Sequence, residues 1–303
     1  MGDDGGVSCE GRPLPVAELR PEIAWANRDL YVEGPVTAFM VACLKSPRLR
    51  WLQSSAAGFE HPVFSKLARN GVRLTNANAS AVPISEFIFA RIFEAFHPIE
   101  ARRRAQQARE WKRLSFRDLA GTTWLVYGLG NIGAELSVRA RAFGARVIGV
   151  RRNPSGDEPV DEMVGPGALL PSLAHADVVV MTAAVNETNR GIADARFFAA
   201  MTRLEAVFVN VGRGGLVDEG ALLAGLERGH PSLAILDVFE QEPLPADSRF
   251  WRHPRVWVTA HSAGASPATR ARGDEIFFDN LSRYLAGRPL ALTVDPLVDS
   301  RQP

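Results

Sequence analysis

One eight-residue stretch, Val126-Tyr-Gly-Leu-Gly-Asn-Ile-Gly133, constrains this chain more than any other. The apolar run Trp124 to Tyr127 leads straight into glycines at 128, 130 and 133, and a helix-like segment, Ala134 to Phe143, follows. A G-x-G-x-x-G between a strand and a helix is a dinucleotide-binding signature; the same spacing without those flanks is often only a turn. Gly128 permits the tight strand-to-helix turn, Gly130 lets the backbone approach a pyrophosphate, and Gly133 lets the helix pack closely on the strand. Free N–H groups at the helix start then face the phosphates, aided by the helix dipole.

The rest of the chain repeats that alternation. Trp124–Tyr127, Val147–Val150, Val178–Thr182, Val207–Val211, Leu233–Leu236 and Val256–Thr259 are short, continuous, β-branched runs, as expected when both faces of a parallel sheet are buried. Helical pieces lie between them at Ala134–Phe143, Leu169–Ala174, Ala193–Met201 and Gly220–Arg228. This pattern predicts a doubly wound α/β domain of Rossmann type. Ahead of it, Leu49–Ser54 and Val72–Thr75 read as strands. Ile84–Trp111 reads as one long helix, kinked or divided at Pro98, with Phe87, Phe89, Ile92 and Phe96 toward the core. The run Arg102–Arg104 reads as a solvated face. A helix over 268–286 and a short tail return to the first domain. The expected division is 1–94 with 268–303 for the smaller domain and 95–267 for the dinucleotide-binding domain. At 303 residues the chain suits two such cores better than one.

Bulk properties mostly exclude. A net charge of +1 gives no overall attraction to nucleic acid or to an anionic membrane. No apolar run reaches membrane-spanning length, and the polar N-terminus does not resemble a signal peptide, so a cytoplasmic location is expected. Cys9 and Cys43 are too few for a metal cluster and read as ordinary thiols; no metal site is expected. The first dozen residues, rich in Gly and Asp, read as disordered.

In NAD-binding folds a carboxylate about 20 residues past the glycines bonds the ribose 2′-hydroxyl. Here the second strand ends Gly149-Val-Arg-Arg-Asn153. Two guanidiniums, Arg151 and Arg152, suit a 2′-phosphate instead, so NADP(H) is the expected cofactor. If both arginines only face solvent, NAD(H) would serve as well.

Three further segments end strands, where open α/β sheets bind ligands. They are Val209-Asn-Val-Gly-Arg-Gly-Gly215, Leu236-Asp-Val-Phe-Glu-Gln-Glu-Pro-Leu-Pro245 and Val258-Thr-Ala-His-Ser-Ala-Gly264. Together they offer an arginine, a carboxylate before a proline, and a histidine. Arginine can clamp a substrate carboxylate, histidine can donate a proton near neutral pH, and a neighbouring glutamate favours the imidazolium. Glu240 and Glu242 both fit the last role by spacing. His61, His97, His175, His230 and His253 lack such company and read as structural or surface groups, Asp218 and Glu219 as helix caps, Trp51 as core, and Phe239 as packing beneath the site.

With these motifs in order, the chain resembles the D-isomer-specific 2-hydroxyacid dehydrogenase family, from Leu49 to about Pro296. The matching pieces are Trp51-Leu-Gln-Ser-Ser-Ala-Ala-Gly58, Gly128-Leu-Gly-Asn-Ile-Gly133, Asn210-Val-Gly-Arg-Gly-Gly-Leu-Val-Asp218, Asp237-Val-Phe-Glu-Gln-Glu-Pro243 and His261. Each is weak alone; five in sequence are specific. The resemblance implies a Rossmann-type domain inserted into a smaller flavodoxin-like α/β substrate domain, an active site in the cleft between them, and a homodimer. It implies Arg213 as substrate cation, His261 as acid/base and Glu242 as its partner. The backbone of Ala56, Ala57 and Gly58 would hold the substrate carboxylate. Asp237 would hold the nicotinamide carboxamide, and Thr182, Ala183 and Ala184 would lie over the adenosine side. Leu129, Asn131, Ile132, Thr188, Val211, Gly212, Ala263 and Gly264 would complete the cofactor site. The implied activity is NAD(P)-dependent reduction of a small 2-keto acid such as glyoxylate or hydroxypyruvate.

Two departures stand out. Relatives usually carry an apolar strand and helix before the segment matching Pro21–Tyr31, so a first strand of the small domain is missing, replaced or supplied otherwise. Asn76-Ala-Asn-Ala-Ser80 also lacks the glycine of many relatives. Two other functions fit less well: a 3-phosphoglycerate dehydrogenase, and a non-catalytic nucleotide-sensing protein of the same fold. Formate dehydrogenase relatives have glutamine in place of Glu242.

Overall fold

The computed structural model describes residues 7–9, 12–14, 19–32, 34–56, 58–59, 61–154 and 156–299. They form two compact units, Met1–Ser80 with Ala265–Pro303, and Ala81–Gly264. The first unit opens with β1 (Val7–Cys9) and β2 (Arg12–Leu14), paired antiparallel where disorder was expected; the other residues of that stretch lie outside the description. Then come β3 (Ile23–Ala26), α1 (Arg28–Val32), α2 (Val36–Lys45), β4 (Trp51–Ser54), α3 (Pro62–Arg69) and β5 (Arg73–Asn76).

The second unit begins with α4 (Ala81–Phe96) and α5 (Ile99–Gln107). The long helix expected here is thus two, because Pro98 cannot donate to the ladder and its ring bars continuation. Ile88, Phe89, Ile92 and Phe96 of α4 are buried with Trp124, Leu136 and Ala140. That packing places the whole of α4 in the second unit, ahead of the break expected at 94/95. Next are β6 (Thr123–Tyr127), α6 (Asn131–Ala142), β7 (Arg146–Val150), β8 (Glu162–Val164), α7 (Leu169–Leu173), β9 (Val178–Met181), α8 (Ala195–Ala200), β10 (Val207–Asn210), α9 (Glu219–Arg228), β11 (Leu233–Leu236) and β12 (Val256–Val258).

All strands of this unit pair parallel in the order β12-β11-β10-β9-β6-β7-β8. The chain runs outward from β6 to β8, then crosses back to β9 and outward the other way. The order therefore reverses between β6 and β9, the place where such sheets bind ligands. The core strands are buried on both faces: Leu125, Val179 and Phe208 pack on one side, Trp124, Val126, Val178 and Val209 on the other.

The remaining elements, α10 (Pro267–Leu285), β13 (Thr293–Val294) and α11 (Pro296–Asp299), belong to the first unit. Its sheet has the order β13-β5-β4-β3, parallel except for β13. Among the described residues β3 and β13 are the two edges of this sheet. Trp51 is fully buried, donates to the Thr75 hydroxyl at 2.9 Å and stacks between Phe277 and Tyr284, a core role as expected. Asn78 supplies what a glycine would in its segment. Its φ is +46°, a region that asparagine tolerates better than most residues, and its N–H donates to Asn76 Oδ1 at 2.6 Å.

Candidate active site

The glycine loop is built for close approach. Gly128 has φ +100°, and a Cβ there would stand 2.6 Å from the Ala183 nitrogen, so only glycine lets the loops after β6 and β9 touch. A Cβ on Gly133 would stand 2.1 Å from the Gly128 carbonyl oxygen, which fixes α6 against its own strand. At Gly130, by contrast, a Cβ would meet nothing within 4 Å, and no side chain caps α6. Open space and uncapped helical N–H groups fit a pyrophosphate. Leu129 is buried beside the loop, Asn131 is exposed and Ile132 is half-buried.

Arg151 and Arg152 follow β7 directly. Arg151 Nη1 donates to the Leu129 carbonyl at 3.3 Å and to Glu158 Oε1 at 3.1 Å. The sequence offers no carboxylate at the strand tip, yet the chain folds Glu158 back to it. Glu158 also accepts from the Gly156 N–H at 2.9 Å, which pins the turn. Arg152 is exposed. Across the switch point, the Thr182 hydroxyl donates to the Gly128 carbonyl, while Ala183 is half-buried and Ala184 exposed. Asn189 holds that loop from inside, donating to the Ala184 carbonyl at 2.8 Å; Thr188 is exposed and leans on Asn186.

Arg213, Glu242 and His261 line one pocket of about 380 Å³ with Val185, Arg190, Gly214, Gly215, Phe239 and Glu240. Each sits on a loop after a different strand: β10, β11 and β12. His261 Nδ1 meets Glu242 Oε2 at 2.7 Å, and Glu242 Oε1 accepts the Phe239 N–H at 2.9 Å. This separates the two glutamates. Glu242 holds the histidine, while Glu240 faces Arg190 at 3.9 Å. Arg213 Nη1 donates to the Gly212 carbonyl at 2.7 Å. Its loop is clamped by Asn210, whose side chain bonds the Gly212 N–H at 3.1 Å and the Arg213 carbonyl at 3.0 Å. A Cβ on Gly214 would fall 1.8 Å from the Phe239 carbonyl carbon, so the Arg213 and Glu242 loops lie backbone on backbone. Val211 and Gly212 are buried behind them.

Asp237 is 2% exposed and carries the loop of His261. Its carboxylate accepts from the Thr259 hydroxyl at 2.6 Å, the Ser262 N–H at 2.9 Å and the Ala263 N–H at 3.0 Å. Its carbonyl accepts from the His261 N–H at 2.8 Å. His261 has φ +49°, so this anchoring holds a backbone conformation uncommon outside glycine. Ala263 is buried beside it and Gly264 half-buried. Asp237 and Asn210 escaped sequence reading as loop anchors; the only signal was a polar residue where a buried strand ends. Asp218 caps α9 as expected, through the Ala221 N–H at 2.9 Å. Glu219 does not: its carboxylate accepts the Glu240 N–H at 2.9 Å. His61 caps α3, His97 stacks on Phe116 and His230 bonds the Met201 carbonyl, all structural duties. Phe239 is buried against Phe250.

Ala56 and Gly58 follow β4 in the other unit and are half-buried; Ala57 lies outside the described residues. The Ala56 N–H donates to Ser54 Oγ at 3.1 Å, and its carbonyl accepts from Asn76 at 3.2 Å.

A parallel sheet with a glycine loop at its switch point, and a paired histidine and an arginine in one pocket beyond the same strand ends, define a dinucleotide-dependent oxidoreductase. The family model for the D-isomer specific 2-hydroxyacid dehydrogenase, NAD binding domain, matches residues 89–263. The chain belongs to this family. It is 30% identical to glyoxylate reductase of Korarchaeum cryptofilum over 270 residues, 85% of this chain and 80% of that protein. It is 28% identical to D-3-phosphoglycerate dehydrogenase of Bacillus subtilis over 83% of this chain, but spans only 48% of that longer protein. The solved NADPH-dependent glyoxylate/hydroxypyruvate reductase of Sinorhizobium meliloti, in complex with NADP and sulfate, matches with a TM-score of 0.74 and 29% identity, covering 95% of this chain and 92% of that one. No helix among the described residues is long and apolar enough to cross a membrane.

Proposed function

We propose that this chain reduces small 2-keto acids to D-2-hydroxy acids and prefers NADPH to NADH. The observation that carries the reading is the 2.7 Å pairing of His261 with Glu242 in the pocket that Arg213 also lines. Glu242 accepts from Nδ1–H and leaves the other ring nitrogen to serve the substrate. In its protonated form the imidazole can deliver a proton to the carbonyl oxygen as that oxygen gains charge. Arg213 offers a fork to the substrate carboxylate and so fixes the keto carbon. The bound nicotinamide cofactor supplies the hydride. The glycine loop and the start of α6 hold its pyrophosphate, and Arg151 and Arg152 favour a 2′-phosphate over a bare hydroxyl. The reductase of S. meliloti, which was solved with NADP, supports the same preference.

Asp237, with two carboxylate oxygens and several lone pairs, retains room to accept from the nicotinamide amide. The assignment of Ala56 and Gly58 to the substrate carboxylate, and of the first unit as a substrate domain, rests on likeness in sequence. The same likeness supports a homodimer, which light scattering of the purified protein tests.

The deciding experiment is a panel of 2-keto acids (glyoxylate, hydroxypyruvate, phenylpyruvate and 3-phosphohydroxypyruvate) crossed with NADPH and NADH. Turnover with NADPH favoured is expected, and His261→Ala should abolish it while NADPH still binds. Absence of turnover across the panel would refute the enzyme; a preference for NADH would refute the cofactor assignment.

A further inference from the structure

The pocket beside His261 holds a charge pair that the reaction above does not use. Glu242 is committed to His261 and Arg213 to the substrate carboxylate, which leaves Arg190 and Glu240 on the same wall. Their charged ends stand 3.9 Å apart, beyond hydrogen-bond distance, and both side chains are 63% exposed. An exposed pair with this geometry is weak. The backbones beneath are not loose. Arg190 follows a turn pinned by Asn189, which holds the Ala184 carbonyl and the Asn186 N–H, and the Glu240 N–H donates to Glu219. The pair therefore presents adjustable charged ends on fixed stems.

Gly215 sets where the guanidinium lies. A Cβ there would stand 2.8 Å from Arg190 Nη1, so the missing side chain is what lets Arg190 reach the pocket wall two residues beyond Arg213. One short stretch thus brings together two arginines. One can hold the carboxylate next to the keto carbon. The other faces a resident carboxylate that a ligand could replace.

We infer that Arg190 determines substrate choice by taking a second anionic group, so that 2-keto acids with a distal carboxylate or phosphate are favoured. This inference rests on reading the pocket as a 2-keto acid site. Glu240 stands in for that group when no substrate is bound. A guanidinium fork matches carboxylate and phosphate oxygens alike, and an anion held at both ends loses less orientation than one held at a single end. Glu240 also repels the incoming anion, so it lowers affinity for such substrates and its removal should raise it.

The test is the ratio of kcat/KM, with NADPH, for a doubly anionic keto acid over glyoxylate. Oxaloacetate and 3-phosphohydroxypyruvate are the two doubly anionic arms and separate carboxylate from phosphate. Arg190→Gln should lower the ratio about tenfold or more for at least one arm, the worth of a charge-assisted contact. Arg190→Lys should lower it less, because charge remains while the fork is lost. Glu240→Gln should raise it. Gly215→Ala, which displaces only the flexible end of Arg190, should lower it without removing any charge. An unchanged ratio in both Arg190 variants overturns the inference while leaving glyoxylate reduction standing. A wild-type protein that reduces neither glyoxylate nor the doubly anionic acids overturns the underlying reading, and the inference with it.

Discussion

Replacing Asp237 by asparagine preserves shape and removes one acceptor, which isolates what the buried carboxylate does for the loop of His261. The carboxylate takes three hydrogen bonds, from the Thr259 hydroxyl, the Ser262 N–H and the Ala263 N–H. An amide must point its NH2 at one side. Facing Ala263, it sets donor against donor at a buried N–H. Turned around, it faces Ser262 and Thr259, and only the hydroxyl can rotate to accept. Either way one backbone donor loses its partner, at about 1–3 kcal/mol, and the bonds that remain lose their charge assistance, about 1 kcal/mol more. The expected loss is therefore about 2–4 kcal/mol. For a domain of this size that is a fall in melting temperature of about 5–15 °C. Differential scanning calorimetry measures it, with the exposed Asp247→Asn as a control expected within about 0.5 kcal/mol of the wild type. Because His261 also rests on the Asp237 carbonyl through its own N–H, kcat/KM should fall alongside stability. An Asp237→Asn protein that melts with the wild type would refute the claim that this carboxylate anchors the loop.

Three further outcomes follow from particular contacts. Gly214→Ala must push apart backbones that already touch, since its Cβ would lie 1.8 Å from the Phe239 carbonyl carbon. It should destabilise by about 2–3 kcal/mol or more and reduce kcat/KM, whereas Gly167→Ala, with nothing within 4 Å, should do neither; urea unfolding compares them. Asp194 caps α8, and the Phe197 N–H, then the Arg196 guanidinium, hold its carboxyl below the usual carboxylate value against the opposing effect of burial. A depressed folded value means that the contribution is present above the unfolded pKa of about 3.9 and is lost as pH falls through the folded one. Asp194→Ala should cost about 1 kcal/mol at pH 7, a deficit that shrinks in acid unfolding series below about pH 4. Burial pushes the Cys43 thiol up to about 12. A raised folded value means stability present below the unfolded pKa of about 8.5 and lost as pH climbs toward the folded one. Wild type should therefore lose stability relative to Cys43→Ala between about pH 9 and 12, and peptide mapping should find Cys43 unalkylated by iodoacetamide at pH 8.

The second unit was legible from sequence because its strands are buried on both faces. Val178-Val-Val-Met181 and Val207-Phe-Val-Asn210 announce themselves as unbroken apolar runs, and each falls in the sheet within a residue of its expected limits. Edges were less visible. Glu162-Met-Val164 forms β8 with every side chain only half-buried, so no apolar run marks it. Ile23-Ala-Trp-Ala26 alternates half-buried and buried positions over only four residues, too few for a period of two to stand out. The division of Ile84–Trp111 turned on a single proline whose effect, kink or break, depends on what packs around it. Here Phe96 is buried just before the break and Arg102–Arg104 are exposed after it, so a continuous rod would have carried charge into the core or apolar rings into solvent.

At the site, residue types were readable and their supports were not, for a physical reason. A histidine, an arginine and a glutamate before a proline advertise proton and anion chemistry wherever they occur in order. What fixes them in space is a second set of contacts: one within a loop, Asn210 across Gly212 and Arg213, and others between loops distant in sequence, Asp237 under Thr259 and Ala263 and Glu219 on the Glu240 N–H. No local period encodes the distant pairs, because each partner is chosen by the sheet order that brings its strand end alongside. The glycines are the exception, and they explain why the motifs are as specific as they are. Gly128 and Gly212 are each excluded from bearing a Cβ by the Ala183 backbone, and Gly214 by Phe239 and Glu240. The loops after β6, β9, β10 and β11 are thereby drawn within van der Waals contact in one row. A substitution at any of these positions would separate neighbouring loops rather than perturb one. The spacing G-x-G-x-x-G and the run G-R-G-G thus record the distances between strand ends in the folded sheet, which is how a linear motif can carry three-dimensional information about this site.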